Sequence, residues 1–326
     1  MFQTEKGVLE RIADSLERIA SNLDIISGRM SEDQLREKPF FLPEIQEIKN
    51  TILPKAENVY KEKKTVKIHT DYDGVEFIRD FFADHGIIVQ DYDNTNGSEY
   101  DQIAKHIGDQ YEHIGKLYNE LRCSISNNCE RRTLDLLLTG NQNLTSMVNL
   151  GKMLDDYDFF EEYEYYKAPV KQMNFKHRNI GEKINFINGG WLEAYIYIKL
   201  KEIFTSVKDC LGTDFNYTIL KNVKLKLSGG KCAEMDLFCE VNQNIYWFEA
   251  KSHNLDNGEM QKHFTKYDDY SKLLHLNDDR AFVIYTNSQN SYINRSLNNF
   301  PHLRILNHKE FPGIIRDLVR KELQLK

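Results

Sequence analysis

Hydrophobic positions along this chain follow one period at its start, another through its middle and a third towards its end. Leu9, Ile12, Leu16, Ile19, Leu23, Ile26 and Met30 keep strict three-four spacing, and LERIA repeats after seven residues. This predicts a coiled-coil seam of three heptads over residues 9–30, with Leu9, Leu16, Leu23 and Met30 at position a and Ile12, Ile19 and Ile26 at position d. Leu at a with Ile at d leans towards tetramers rather than parallel dimers, and Ala13, Ser15 and Ala20 leave room for a wide interface. The same stripe also suits an amphipathic helix packed on its own domain.

Pro39, Pro43 and Pro54 and the charged stretch KEKKTVKIHT read as a linker. From Gly74, VEFIRDFFADHGI is helical and closes on a glycine suited to a C-cap, and IIVQDYD is extended. Helical spacing returns at 98–124, through Ile103, Ile107, Tyr111, Ile114, Leu117, Tyr118 and Leu121, and at 130–155, through Leu134, Leu137, Leu144, Met147 and Leu150. DDYDFFEEYEYYK, 155–167, is expected to be a helix with an aromatic face and a solvated acidic one. Residues 33–186 therefore read as a mainly helical sensor, linker or interaction region after a coiled-coil-like helix at 1–32. The loop DYDNTNGSEYDQ looks like a calcium loop, but Gly97 stands at position 7 and Gln102 at position 12, so an Asx-rich turn is expected.

After the turn NGG at 188–190 the pattern changes again. WLEAYIYIKLKEIFTSV is a helix; FNYTILKNVKLKL, AEMDLFCEV and IYWFEAK are strands; 259–276 is a helix and RAFVIYTN a buried strand. The order αβββαβ predicts an α/β domain with a mixed sheet over residues 187–326.

Charge narrows the choice of function. The formal net charge is −7, which argues against a basic coat for nucleic acid. The acidity is uneven: up to residue 186 there are 24 Lys and Arg against 33 Asp and Glu, and after it 19 against 17, so the C-terminal part is free to focus a local positive field. Five cysteines without a CxxC pair and no signal-like apolar start point to a reduced, cytoplasmic protein. No run of about 18 apolar residues is present, so no membrane span is expected.

One hairpin carries charges that a buried sheet should not tolerate. In EMDLFCEVNQNIYWFEAK, Asp236 lies near the start of one strand and Glu249 with Lys251 near the end of the next. Period-two alternation turns Glu249 and Lys251 to one face, and pairing through a turn near Asn242 to Asn244 sets Asp236 beside them. Two carboxylates facing one crevice repel unless a divalent cation lies between them, and hard Mg²⁺ prefers such oxygens. A neighbouring lysine is then placed to orient or deprotonate an attacking water, or to stabilise charge on a phosphorane. The competing view is an edge hairpin with surface carboxylates and a gatekeeping lysine. His253 reads as a solvated loop residue, and Cys232 and Cys239 as small space-filling groups.

The spacing D-x12-E-x-K after a glutamate-bearing helix resembles the core of the PD-(D/E)XK nuclease superfamily, the restriction-endonuclease-like fold. More narrowly, GGWLEAY, AEMD and FEAK are similar to the GGWLE, NEID and ECK signatures of the nuclease domain in CRISPR-associated, cyclic-oligoadenylate-activated effectors, over about residues 188–287. The resemblance implies that Glu193, Asp236 and Glu249 bind Mg²⁺ or Mn²⁺ with the Ala250 backbone carbonyl, that Lys251 is catalytic, and that Glu234 and Lys266 stand behind them. It implies cleavage of DNA, or RNA, in antiphage defence, answering to a nucleotide or phage-derived activator, while the heptads at 9–30 add the expectation of a homo-oligomer (tetramer or dimer). Two departures are plain: Ala233 replaces the family's Asn, and a heptad helix replaces the sensor's initial apolar strand. The alternative is an oligomeric nucleic-acid-binding or adaptor protein whose nuclease-like fold is inactive.

Overall fold

The computed structural model describes residues 73–211, 215–252, 257–286 and 299–323. The heptad segment 9–30, the proline-punctuated linker and His253 lie outside these residues.

Helix α1 (Gly74–Asp84) starts where Asp73 accepts the backbone N–H groups of Val75 and Glu76 at 2.9 and 3.4 Å, and it stops where Gly86 takes φ 68°. Strand β1 (Ile88–Asp93), helix α2 (Asp101–Ser126), strand β2 (Arg132–Asp135), helix α3 (Asn141–Asp156) and strands β3 (Phe160–Tyr166) and β4 (Gln172–His177) follow. A short α4 (Gly181–Asn185) runs through one π turn, Phe186–Gly190, into α5 (Trp191–Leu211). Beyond it come β5 (Tyr217–Lys226), β6 (Cys232–Val241), β7 (Asn244–Lys251), α6 (Asn257–Leu273), β8 (Ala281–Tyr285), β9 (Arg304–Asn307) and α7 (Phe311–Glu322).

Six strands form the main sheet in the order β1-β5-β6-β7-β8-β9, antiparallel up to β7 and parallel through β8 and β9. The mixed sheet and the order αβββαβ expected after residue 187 are both present. Asn242 and Gln243, at φ 48° and 66°, make the two-residue turn that fixes the β6–β7 register. One face of the sheet is covered by α1 and α6, whose Ile78, Phe82, Phe264 and Tyr267 meet Val223, Met235, Phe238 and Trp247. On the other face Leu237, Cys239, Tyr246 and Phe248 belong to a core that runs through α5 to α2, α3 and the small sheet. Cys239 fills space there, fully buried, while Cys232 is exposed.

Two expectations for the middle of the chain are corrected. Its helices are accompanied by a second antiparallel sheet, formed by β2, β4 and β3. The helix expected over 130–155 begins only at Asn141, after strand β2 and Gly140. The stretch 155–167 is mostly strand β3: Glu162, Tyr163, Glu164 and Tyr165 alternate across the ladder with β4, tyrosines towards the core and glutamates outward, an arrangement helical spacing hid. Strand β1, before residue 186, is the edge of a sheet whose other strands lie after it, and one continuous core spans both sides of that position. The Asx-rich loop is a turn as expected, with Asp91 held by Lys224 at 2.9 Å and Asp93 by Lys221 at 3.0 Å and the Thr95 N–H at 2.7 Å.

His308 is buried against the larger core, 1% exposed and ringed by Tyr111, Trp191 and Tyr195. Burial, and after it the Lys309 charge, lowers its pKa to about 4. The unfolded chain therefore binds the extra proton first, and the stability this neutral ring allows is whole above the ordinary histidine pKa and lost as pH falls towards 4. Denaturant unfolding at pH 7 and pH 4.5 should show His308→Phe losing about 2 kcal/mol less than wild type on acidification. Equal losses would refute that assignment.

Candidate functional site

Pairing between β6 and β7 ends at Leu237 and Phe248, so Asp236 and Glu249 are the first pair beyond the ladder. There the carboxylates take over from backbone carbonyls. The Ala250 N–H donates to Asp236 Oδ2 at 2.7 Å, and the Asp236 N–H points to Glu249 Oε2 at 3.5 Å. The β5–β6 ladder also passes over this point, from Lys221–Leu237 to Val223–Met235, skipping Asp236 and Asn222, the latter at φ 51°. At the same place β6 changes faces: Met235 lies in one core and Leu237 in the other, against simple alternation. Asp236 thus sits at a kink where the strands part, which gives its carboxylate a place between them.

Lys251, two residues along β7, donates from Nζ to Glu249 Oε1 at 3.0 Å and lies 4.0 Å from Asp236 Oδ2. The three side chains are 24%, 5% and 16% exposed for Lys251, Glu249 and Asp236, so water screens them poorly. Glu193 enters from the first turn of α5. That turn is anchored three times: Trp191 Nε1 donates to Tyr118 Oη at 2.8 Å, Tyr118 Oη donates to the Ile187 carbonyl at 2.8 Å, and Ser252 Oγ donates to the Asn188 carbonyl at 3.0 Å. Because Ser252 follows Lys251, the end of β7 and the start of α5 are tied together.

The charges in this cluster do not balance. Burial first, then Glu249, pushes the Asp236 carboxyl well above the usual carboxylate range. Burial also raises Glu193, with Glu249 and Glu234 adding to it and Lys251 opposing. Burial works against the Lys251 ammonium, but Glu249 and Asp236 outweigh it and its pKa is raised. Three carboxylates facing one ammonium are short of positive charge, and their donors are all hard oxygens; both features suit a divalent cation such as Mg²⁺ or Mn²⁺. Among the described residues, no three His, Cys, Asp or Glu side chains stand close enough as placed to share one ion. In this arrangement the Lys251 ammonium does the compensating.

The remaining expected residues are close by but differently engaged. The backbone N–H of Trp247 donates towards β8, to the Arg280 carbonyl, so alternation turns the Ala250 peptide groups towards β6 and Asp236. Glu234 is exposed and stands opposite Lys224 on β5. Lys266 is exposed and rests over the rings of Tyr267 and Tyr270 at 5.3 and 5.5 Å. Sequence reading missed Tyr267 itself, whose ring lies 5.3 Å from Lys251 Nζ, as well as Ser252 and the Tyr118–Trp191 bond. Tyr267 falls on the apolar stripe of α6 with Phe264, and only its hydroxyl hinted at more than packing.

Among the described residues no helix is long and apolar enough to cross a membrane. No family model matches the sequence, and no curated protein matches it. Among solved structures, the chain is similar to Can2 from Sulfobacillus thermosulfidooxidans, determined in complex with cyclic tetra-adenylate, at 17% identity and TM-score 0.48, covering 74% of this chain and 60% of that one. It is also similar to protein VC1899 from Vibrio cholerae, at 17% identity and TM-score 0.49, covering 82% of this chain and 65% of that one. The chain thus spans 60% to 65% of the length of these two proteins. The chemistry of the site rests on the residues of this chain alone.

Proposed function

We propose that the protein is a metal-dependent nuclease that hydrolyses phosphodiester bonds in DNA, with RNA as the other candidate substrate. The observation that carries this reading is the meeting of Asp236, Glu249 and Lys251 where β6 and β7 part, with Glu193 in the first turn of α5, which is tied to the end of β7. Glu193, Asp236 and Glu249, with the Ala250 carbonyl, are the residues that would hold Mg²⁺ or Mn²⁺. Such a cation supplies a Lewis acid for the scissile phosphate and acidifies water.

Lys251 has the placement for the remaining work. Its ammonium stands 3.0 Å from Glu249 and 4.0 Å from Asp236, so it suits stabilising negative charge on the pentavalent phosphorus. The anchors on Tyr118 and Ser252 keep Glu193 in register with the hairpin, and a metal-binding set needs that rigidity. Lys266, exposed beside the site, is available to a substrate phosphate. Oligomerisation through residues 9–30, which rests on the heptad spacing, and control by a nucleotide or phage-derived signal in a defence setting, which rests on the resemblance of the sequence blocks, belong to the same proposal.

The test runs wild type, Asp236→Ala and Lys251→Ala in parallel with supercoiled plasmid, single-stranded DNA and RNA in the presence of Mn²⁺. Cleavage by wild type alone is the expected result. Equal cleavage by all three would sink the reading. Absence of cleavage, together with Mn²⁺ binding that Asp236→Ala leaves unchanged in calorimetry, would favour the inactive adaptor.

A further inference from the structure

Tyr267 has a place in the site that packing alone does not require. It lies on α6, 3% exposed, with its ring edge-on to Trp247 at 5.8 Å and stacked with His263 at 6.0 Å. Trp247 shares the face of β7 that carries Glu249 and Lys251, so the ring is clamped against the strand that bears the lysine. Two ammonium groups use this one ring: Lys251 and Lys266 both stand 5.3 Å from its centroid, while the Tyr267 hydroxyl pairs with Lys251 and Glu249, so that Tyr267→Phe separates the ring from the hydroxyl. Meanwhile Lys251 Nζ is 3.0 Å from Glu249 but 4.0 Å from Asp236, drawn away from the middle of the carboxylate pair.

We propose that Tyr267 is a positioning residue for Lys251: the face of its ring holds the ammonium to one side of the gap between Asp236 and Glu249. The attraction of a cation to an aromatic face competes with the carboxylates for the amine, and a clamped ring makes that competition constant. An ammonium that settles fully between the carboxylates competes with a divalent cation for the same oxygens. One held on the ring, beside Glu249, leaves Asp236 accessible and stays within reach of a phosphate. The consequence for turnover rests on the nuclease reading; the placement of the lysine does not.

Biosynthetic labelling of the metal-free full-length protein with lysine carrying ¹³C at Cε separates the two. In wild type the Lys251 Hε–Cε signal, identified by its loss in Lys251→Arg, should be displaced upfield of exposed lysines by the ring current. Tyr267→Leu should return it most of the way to the exposed position, and Tyr267→Phe, which keeps the ring, should not. Calorimetry should then show Mn²⁺ bound roughly threefold to tenfold more weakly by Tyr267→Leu, and within about twofold of wild type by Tyr267→Phe. In the active enzyme kcat should fall about tenfold in Tyr267→Leu with the KM for nucleic acid unchanged. An undisplaced Lys251 signal in wild type overturns the proposal even if Tyr267→Leu fails to fold. So does a signal that is the same in Tyr267→Leu, or one lost equally in Tyr267→Phe. Wild type that cuts nothing while these signals behave as expected refutes the nuclease reading and upholds the positioning.

Discussion

Replacing Asp236 by Asn is expected to lower Mn²⁺-dependent cleavage by roughly a thousandfold and, without divalent cation, to make the protein more stable. The two effects have one cause. Asp236 is a buried carboxylate beside Glu249 and Glu193, with only Lys251 to compensate, so its charge is unfavourable in the folded state. Asn keeps an oxygen for the Ala250 N–H and removes the charge. It leaves Glu249 and Lys251 as a neutral pair at 3.0 Å.

The sign follows from linkage. A carboxyl whose folded pKa is raised holds its proton more tightly in the folded state, so its contribution to stability declines as pH rises above the unfolded value near 4. Asp236→Asn removes that decline, and at pH 7 it should raise the unfolding free energy by roughly 1 to 3 kcal/mol. Mn²⁺ should raise the melting temperature of wild type and leave that of the variant unchanged. A variant less stable than wild type without metal, yet still cleaving, would show that Asp236 is only structural.

Gly108→Val is expected to be the most damaging substitution away from the charged cluster. A Cβ at Gly108 would lie 2.2 Å from Tyr195 Cδ2, well inside contact distance. The Tyr195 ring is 4% exposed and is tethered through its hydroxyl to Asp109 Oδ1 at 3.0 Å, so it has little freedom to turn away. The residue at 108 therefore sets how closely α2 approaches α5, and α5 carries Glu193 half a turn before Tyr195.

Overpacking of this kind costs about 3 kcal/mol or more, which in a unit of this size lowers the melting temperature by roughly 10 °C. Pairing Gly108→Val with Tyr195→Ala should cost less than the sum of the two single changes by at least about 1 kcal/mol, because the second change removes what the first collides with. Strict additivity in thermal melts would mean that the α2–α5 contact relaxes by another route.

The hairpin and its charges were legible in the sequence because everything that forms them is local. Asn242 and Gln243 make a two-residue turn, the turn sets the register, and alternation then turns Glu249 and Lys251 to one face beside Asp236. The αβββαβ order was legible for the same reason, since each element carries its own period.

Residues 160–166 were not. Acids and aromatics in that stretch fit a helical stripe as well as a strand, and the choice came from pairing with residues 172–177, which also lie on the strand between β2 and β3. Strand β1 likewise joined the main sheet through Lys221, Lys224 and Lys226 on β5, more than a hundred residues away.

The site divides along the same line. Which groups it contains was written in WLEAY, AEMD and FEAK, because their side-chain chemistry and spacing are properties of the chain. How they are placed together was decided by tertiary structure: the kink at Asp236 where two ladders break, the Ser252 bond that ties β7 to α5, and the Tyr267 ring that α6 lays beside Lys251. Each joins elements distant in sequence, and such contacts form only once burial of the two cores has fixed the helices against the sheet.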